Sequence, residues 1–270
     1  MASSTSSNSF EVPPERALLV IDMKGYSRIP EAKMTPARSD LDDILTTVLA
    51  HNALEDPRQH DGTFKDTGDG AILVFPARVL PRLVDPLLSQ LNGALIRHER
   101  VRPASAATIR LRASLHVGPL SLPDHRGDAI NDACRLIDSQ AARQALSAAA
   151  DSGAFLGTVL SETTYRRTVR AGRTPHVGQS HFLEAVARVS DKPDFEEPCW
   201  LHVPGLSAQA LRPYIDDLPA SHPPADNSEA PSTGNAASAG GGPSFQFHAP
   251  LYDPTVAGTI ENLRIDRRRR

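Results

Sequence analysis

The chain is poor in cysteine: Cys134 and Cys199 are the two it has in 270 residues. That is too few for a disulfide framework, and a reducing, cytoplasmic setting is expected. Long apolar runs are missing too. No stretch approaches the ~20 residues a membrane helix needs, so no membrane span is expected. Neither sign of charge dominates, because 29 Lys and Arg against 32 Asp and Glu leave a net charge of −3. This balance removes any global electrostatic argument for nucleic-acid binding. The opening MASSTSSNSF lacks the basic and apolar regions of a secretory signal.

What is present is an ordinary core composition, with 40% hydrophobic and 23% charged residues, enough for one sizeable domain with appendages. Residues 1–14 are Ser-rich and then Pro-rich and read as a disordered leader. A domain is expected over residues 15–206, followed by a Pro/Ala/Ser/Gly-rich linker over 207–243. The tail, 244–270, regains some apolar alternation, which suits a short strand or a peptide that docks a protein partner. It ends in four arginines, Arg267 to Arg270.

The stretch FKDTGDGAILVF, Phe64 to Phe75, reads as a β-hairpin with an acidic tip. Gly68 and Gly70 bracket Asp69 and supply the positive φ of a tight turn. The run Ala71 to Phe75 suits a buried strand, and Arg58 to Thr67 is its incoming partner. Taken alone, such a tip is most often a plain Asp-Gly turn. Upstream, Arg16 to Ile21 is a continuous apolar strand of the kind buried on both faces. It stops at Asp22, before Met23-Lys24-Gly25-Tyr26-Ser27, a placement that suits a metal ligand or a cap equally well.

Helical periodicity runs from Thr35 to Leu54 and again from about Arg78 to His98, where Pro86 predicts a kink. Thr108 to Val117 alternates. Ile109, Leu111, Ala113, Leu115 and Val117 share one face, and Thr108, Arg110, Arg112, Ser114 and His116 the other. Asp128 to Asp138 is a further helix, followed by more helix to about Ala150. It stacks Asn131 and Arg135 on one face, four residues apart; such a pair can hold a ribose and a phosphate, although on spacing alone a solvated face is favoured. Strands are expected over Ala154–Leu160, His181–Val189 and Cys199–Val203, and a helix over Thr163–Val169.

Four motifs in order carry a resemblance to the class III nucleotidyl cyclase catalytic domain over roughly Arg16 to Pro204: VIDMKGYS, KDTGDG, LRASLHVGPL and DHRGDAINDACRLID. The wording GDGAILVFP and Trp200-Leu201-His202-Val203-Pro204 is similar to stand-alone bacterial members of actinobacterial type. The resemblance implies an α+β, ferredoxin-like (βαββαβ) antiparallel sheet with helices packed on it. It implies that Asp22 and Asp69 bind two divalent ions, Mg²⁺ or Mn²⁺. Asn131 would orient the ribose and Arg135 would neutralise charge on the transferring phosphoryl group. Lys65 and Asp124 would read the base in an adenine-selective pattern, and Lys192 would meet the triphosphate.

The implied reaction makes a 3′,5′-cyclic monophosphate and pyrophosphate from a nucleoside triphosphate. In the family the metal acids come from one subunit and the Asn/Arg helix from the other, so a homodimer is implied. Some stand-alone relatives cyclise UTP or CTP to make antiphage second messengers, which keeps a pyrimidine substrate open beside ATP. The chain departs from the pattern at Asp132, Arg126 and Pro193. A catalytically silent nucleotide-binding or dimerisation module is the alternative, and a diguanylate-cyclase or polymerase-palm relative ranks below both.

Overall fold

A computed structural model describes residues 11–123, 125–216 and 218–219. The described residues all fall in one compact unit; most of the expected leader, the expected linker from residue 220 onward and the tail lie outside the described residues.

The elements run β1 (Glu15–Met23), α1 (Glu31–His51), β2 (Phe64–Asp66), β3 (Gly70–Pro76), α2 (Leu80–Val84), α3 (Leu87–Val101), β4 (Leu111–Pro119), α4 (Asp128–Asp138) and α5 (Gln140–Asp151). They continue with β5 (Leu156–Ser161), α6 (Glu162–Arg167), β6 (Leu183–Val189), β7 (Lys192–His202) and α7 (Ala208–Leu211). The strands form a 7-stranded sheet in the order β2-β3-β1-β4-β5-β7-β6. Its first four strands follow the βαββαβ arrangement expected from the sequence. Most neighbours are antiparallel, but β4 and β5 pair in parallel, which α4 and α5 make feasible as the crossover.

The apolar run of β1 is buried on both faces, as a central strand requires. Ala17, Leu19, Ile21 and Met23 join Leu41, Leu45 and Leu49 of α1 and Leu91 and Leu95 of α3 in one core. Leu18 and Val20 meet Ile72 and Val74 of β3, and Ala129, Ala133 and Ile137 of α4, on the other. Asp22 follows the even-numbered set, which places it on the α4 side of the sheet at the end of the strand.

Several expectations are corrected. The helix expected from Thr35 begins earlier, at Glu31. Pro86 does more than kink a helix: it stands between α2 and α3 as the cap of the second, because its ring lacks the N–H that continuity needs. The incoming hairpin strand shrinks to Phe64–Asp66, since Pro57–Gln59 turn as a 3₁₀ helix whose cap Asp56 accepts from the Arg58 N–H at 3.0 Å. The last strand starts well before Cys199, at Lys192, despite Pro193 and Pro198. Its pairing with β5 begins only at Cys199, so both prolines sit where one edge needs no donor. Past Leu206, where the linker was expected, the chain continues to pack: Leu211 and Ile215 are 1% and 5% exposed.

Candidate active site

The hairpin brings Asp69 to the end of β1. Asp22 pairs in register with Gly70 on β3 and with Arg112 on β4, and the Met23 N–H donates to the Asp69 carbonyl at 2.9 Å. The two carboxyl groups meet there. Burial pushes the Asp69 carboxyl above its ordinary value, and the charge of Asp22 and a hydrogen bond with it push further the same way. The positive charge of Arg112 opposes this.

The two tip glycines do different work. Gly68 has φ of +88° and makes the turn. Gly70 has no positive φ; a Cβ there would lie 1.9 Å from the Ile21 carbonyl oxygen, so the residue is required by the close approach of β3 to β1. Arg38 of α1 clamps the tip from outside. Its Nη1 donates to the Gly70 carbonyl at 2.5 Å and lies 3.3 Å from Asp66. Asp66 in turn accepts from the Gly68 N–H at 2.7 Å.

Asp22 and Asp69 line a cleft of about 520 Å³, walled by Lys24, Arg28, Arg110 and Arg112. Nε and Nη2 of Arg112 both donate to Oδ2 of Asp22, at 2.8 and 2.5 Å, and Nη1 donates to the Ile137 carbonyl at the end of α4 at 3.2 Å. Nε of Arg110 is shielded from solvent and has no hydrogen-bond acceptor among the described residues. The sequence reading named none of these cations as site residues, although the alternation of Thr108 to His116 already placed Arg110 and Arg112 on one face.

The other expected residues gather elsewhere. Asn131 is exposed on α4 and Arg135 half-exposed; neither lines the acid cleft of its own chain. The Arg135 guanidinium sits 5.4 Å from the Phe195 ring centre and 3.7 Å from Asp132 Oδ1. Cys134, on the same helix, feels the charges of both Lys65 and Lys192, which oppose the upward push of burial on its thiol. The charges of Lys65 on β2 and Lys192 on β7 thus both reach α4. Asp124 lies outside the described residues. The structure therefore divides the predicted set in two: Asp22 with Asp69, and the α4 group.

The acid pair suits a hard divalent ion. Two like charges share one poorly solvated corner, and oxygen donors match Mg²⁺ or Mn²⁺. Among the described residues no group of three or more His, Cys, Asp and Glu is placed to hold a metal. An ion here would draw its other ligands from water and substrate, as Mg²⁺ commonly does. Among those residues no helix is long and apolar enough to cross a membrane.

No protein-family model matches the sequence, and no curated protein matches it. Solved structures with a similar chain course include cyclase domains. One is an adenylate/guanylate cyclase/hydrolase from Silicibacter pomeroyi, 21% identical, with a TM-score of 0.47 over 71% of this chain and 98% of that one. Another is the guanylyl cyclase Cya2, 12% identical, with a TM-score of 0.47 over 70% and 90%. A third is the non-canonical dimeric guanylyl cyclase domain of the RhoGC fusion protein from the aquatic fungus Blastocladiella emersonii, 13% identical, with a TM-score of 0.44 over 71% and 97%.

Proposed function

We propose that this protein is a nucleotidyl cyclase, working as a cytoplasmic homodimer with a catalytic unit over residues 15–206 and the packed turns that follow it. The observation that carries the reading is the meeting of Asp22 and Asp69 at the edge of a cation-walled cleft. In the reaction the ribose 3′-hydroxyl attacks the α-phosphorus, the bond to the β-phosphate oxygen breaks, and pyrophosphate leaves. Mg²⁺ or Mn²⁺ held by Asp22 and Asp69, two ions per site, would supply acidification of the hydroxyl and neutralisation of the triphosphate.

The chain's own groups do the positioning. Arg110, with an unused donor, and Lys24 and Arg28 offer charge to the polyphosphate, where electrostatic stabilisation is the main catalytic resource. Asn131 orients the ribose and Arg135 faces the charge that develops on the α-phosphoryl group. Lys65 and Asp124 read the base, in a pattern that favours ATP over UTP or CTP, and Lys192 meets the triphosphate. Asn131 and Arg135 do not line the acid cleft of their own chain, which supports a reading in which a second copy brings its α4 face to it, giving two composite sites per dimer.

One observation favours a second reading. Asp132 and Phe195 already engage Arg135 within one chain, as a silent nucleotide-binding module would tolerate. The purified full chain, incubated with ATP, GTP, CTP and UTP in turn with Mn²⁺ and its products separated by chromatography, decides between them. A cyclic monophosphate from the wild type and none from Asp22→Asn is the expected result. No cyclic product from any triphosphate would contradict the enzyme.

A further inference from the structure

A second cleft, of about 210 Å³, lies where β1 begins and β3 ends, against the loop that follows α1. Arg16 of β1 pairs with Pro76 of β3 there, whereas Asp22 pairs with Gly70 at the far end. Six residues of strand separate the two ends, roughly 20 Å, so this cleft is remote from the acid pair. Its apolar side is made by Leu54, Val74, Phe75 and Val79. Its polar lining is strongly one-signed: Arg16, Arg78, Arg82 and His60, with Glu55 the one acid.

Two of its three arginine charges are uncommitted. Glu55 lies 3.9 Å from His60, and Arg82 donates to the carbonyls of Asn52 and Ala53 at 3.4 and 3.2 Å. The side chains of Arg16 and Arg78 have no ion pair or hydrogen bond among the described residues. Arg16 is half-buried, and its Nε is shielded from solvent without an acceptor. A guanidinium donor withdrawn from water and left unpaired is costly, and an anion in the cleft would satisfy it.

We propose that this cleft binds a small organic anion, a phosphomonoester or carboxylate carrying a compact apolar body. Arg16 and Arg78 hold the anionic head, and the Val74, Phe75 and Val79 side receives the apolar part. The space, about 210 Å³, is smaller than the ~300 Å³ at which ligand pockets usually begin, which suits a compact anion better than a nucleoside triphosphate. The inference is independent of the cyclase reading.

The test is calorimetric titration of the full chain with phenyl phosphate, benzoate, inorganic phosphate and, as the neutral control, phenol. Saturable binding of phenyl phosphate or benzoate is expected, and the tighter of the two identifies the head group. Inorganic phosphate should bind more weakly and phenol not at all. Arg16→Gln and, at the exposed rim, Arg78→Gln should each weaken binding about tenfold or more, as the loss of a charge-assisted hydrogen bond implies. The proposal is overturned if neither organic anion gives saturable heat, if phenol binds as well, or if Arg78→Gln leaves the affinity unchanged. It is equally overturned if the binding follows Arg110→Gln, which would place the anion in the acid cleft.

Discussion

Arg112 and Asp22 lock neighbouring strands at the acid cleft through two donors on one oxygen, Nε and Nη2 to Oδ2 at 2.8 and 2.5 Å. Both side chains are largely shielded, at 15% and 17% exposure, so the pair is more than a solvent-screened surface contact. Removing the guanidinium would leave Asp22 and Asp69 as an uncompensated pair of acids. Arg112→Gln is therefore expected to lose about 3 kcal/mol of stability near neutral pH, measured by urea unfolding. Saturating Mn²⁺ should recover part of the loss, since an ion would take over the compensation. A variant as stable as the wild type without metal would argue against this electrostatic role.

Asp69 bears the opposite cost. Its carboxyl titrates above the ordinary value of 3.8, first through burial and then through Asp22. A carboxyl with a raised folded value favours folding below its unfolded value and loses that contribution as pH rises through the folded one. Near neutral pH the charged group is thus a burden. Asp69→Asn should raise stability by roughly 0.5–2 kcal/mol there, with the gain shrinking in acid. The same variant should lose the Mn²⁺-dependent rise in melting temperature that binding to the native state gives. A variant that is destabilised and still shifts with Mn²⁺ would contradict the placement of the acid pair.

Two contacts hold the hairpin tip in register. Gly70→Ala would press a methyl group against the Ile21 carbonyl and should cost about 3 kcal/mol, an overpacking penalty. Arg38→Gln removes the donor to the Gly70 carbonyl and should cost about 1–2 kcal/mol. It should also weaken Mn²⁺ binding, because Asp69 lies between the carbonyls of Gly68 and Gly70 that Arg38 faces. Thermal unfolding with and without Mn²⁺ reads both effects; unchanged metal affinity in Arg38→Gln would confine that residue to stability.

His202 adds a pH dependence of its own to the fold. It is buried on β7, stacked on Phe182 at 4.7 Å, with Nδ1 3.0 Å from the His181 carbonyl. Burial lowers its pKa from 6.5 to about 4. Below 6.5 the unfolded chain binds a proton that the folded chain refuses, so this contribution to stability is complete above 6.5 and lost as pH falls toward 4. The full loss is about 3 kcal/mol. Urea midpoints should fall between neutral pH and about pH 5, and His202→Asn, which keeps a donor for the His181 carbonyl, should flatten that fall. An equal slope in both proteins would assign it to other groups.

The sequence was most legible where a local pattern and the tertiary fold agreed. The apolar periodicity of Asp128 to Asp138 is the helix observed, and the unbroken run Arg16 to Ile21 marks the strand buried on both faces. Asp22, at the end of one apolar strand, and Asp69, just before another, are paired through the resemblance to the cyclase domain, not by a local pattern. The parallel β4/β5 pairing was not legible, since parallel strands leave no hairpin signal. The cleft cations were missed for a similar reason. Arg110 and Arg112 alternate like any half-buried strand, and only the register of β4 on β1 brings Arg112 to Asp22. Gly70 was read as a turn residue, because close backbone approach between distant strands has no local signature.

The composite site is tested most directly by mixing. Asp69→Asn and Arg135→Ala each disable a different half of the site, so each homodimer alone should be inactive. Co-refolded in equal amounts, half of the dimers are mixed, and each of these carries one intact site of two. The mixture should therefore recover about a quarter of the wild-type rate of cyclic nucleotide formation, as two-fold symmetry dictates. A mixture as inactive as its components, in which mixed dimers are shown to form, would contradict the account, as would substantial activity in either variant alone.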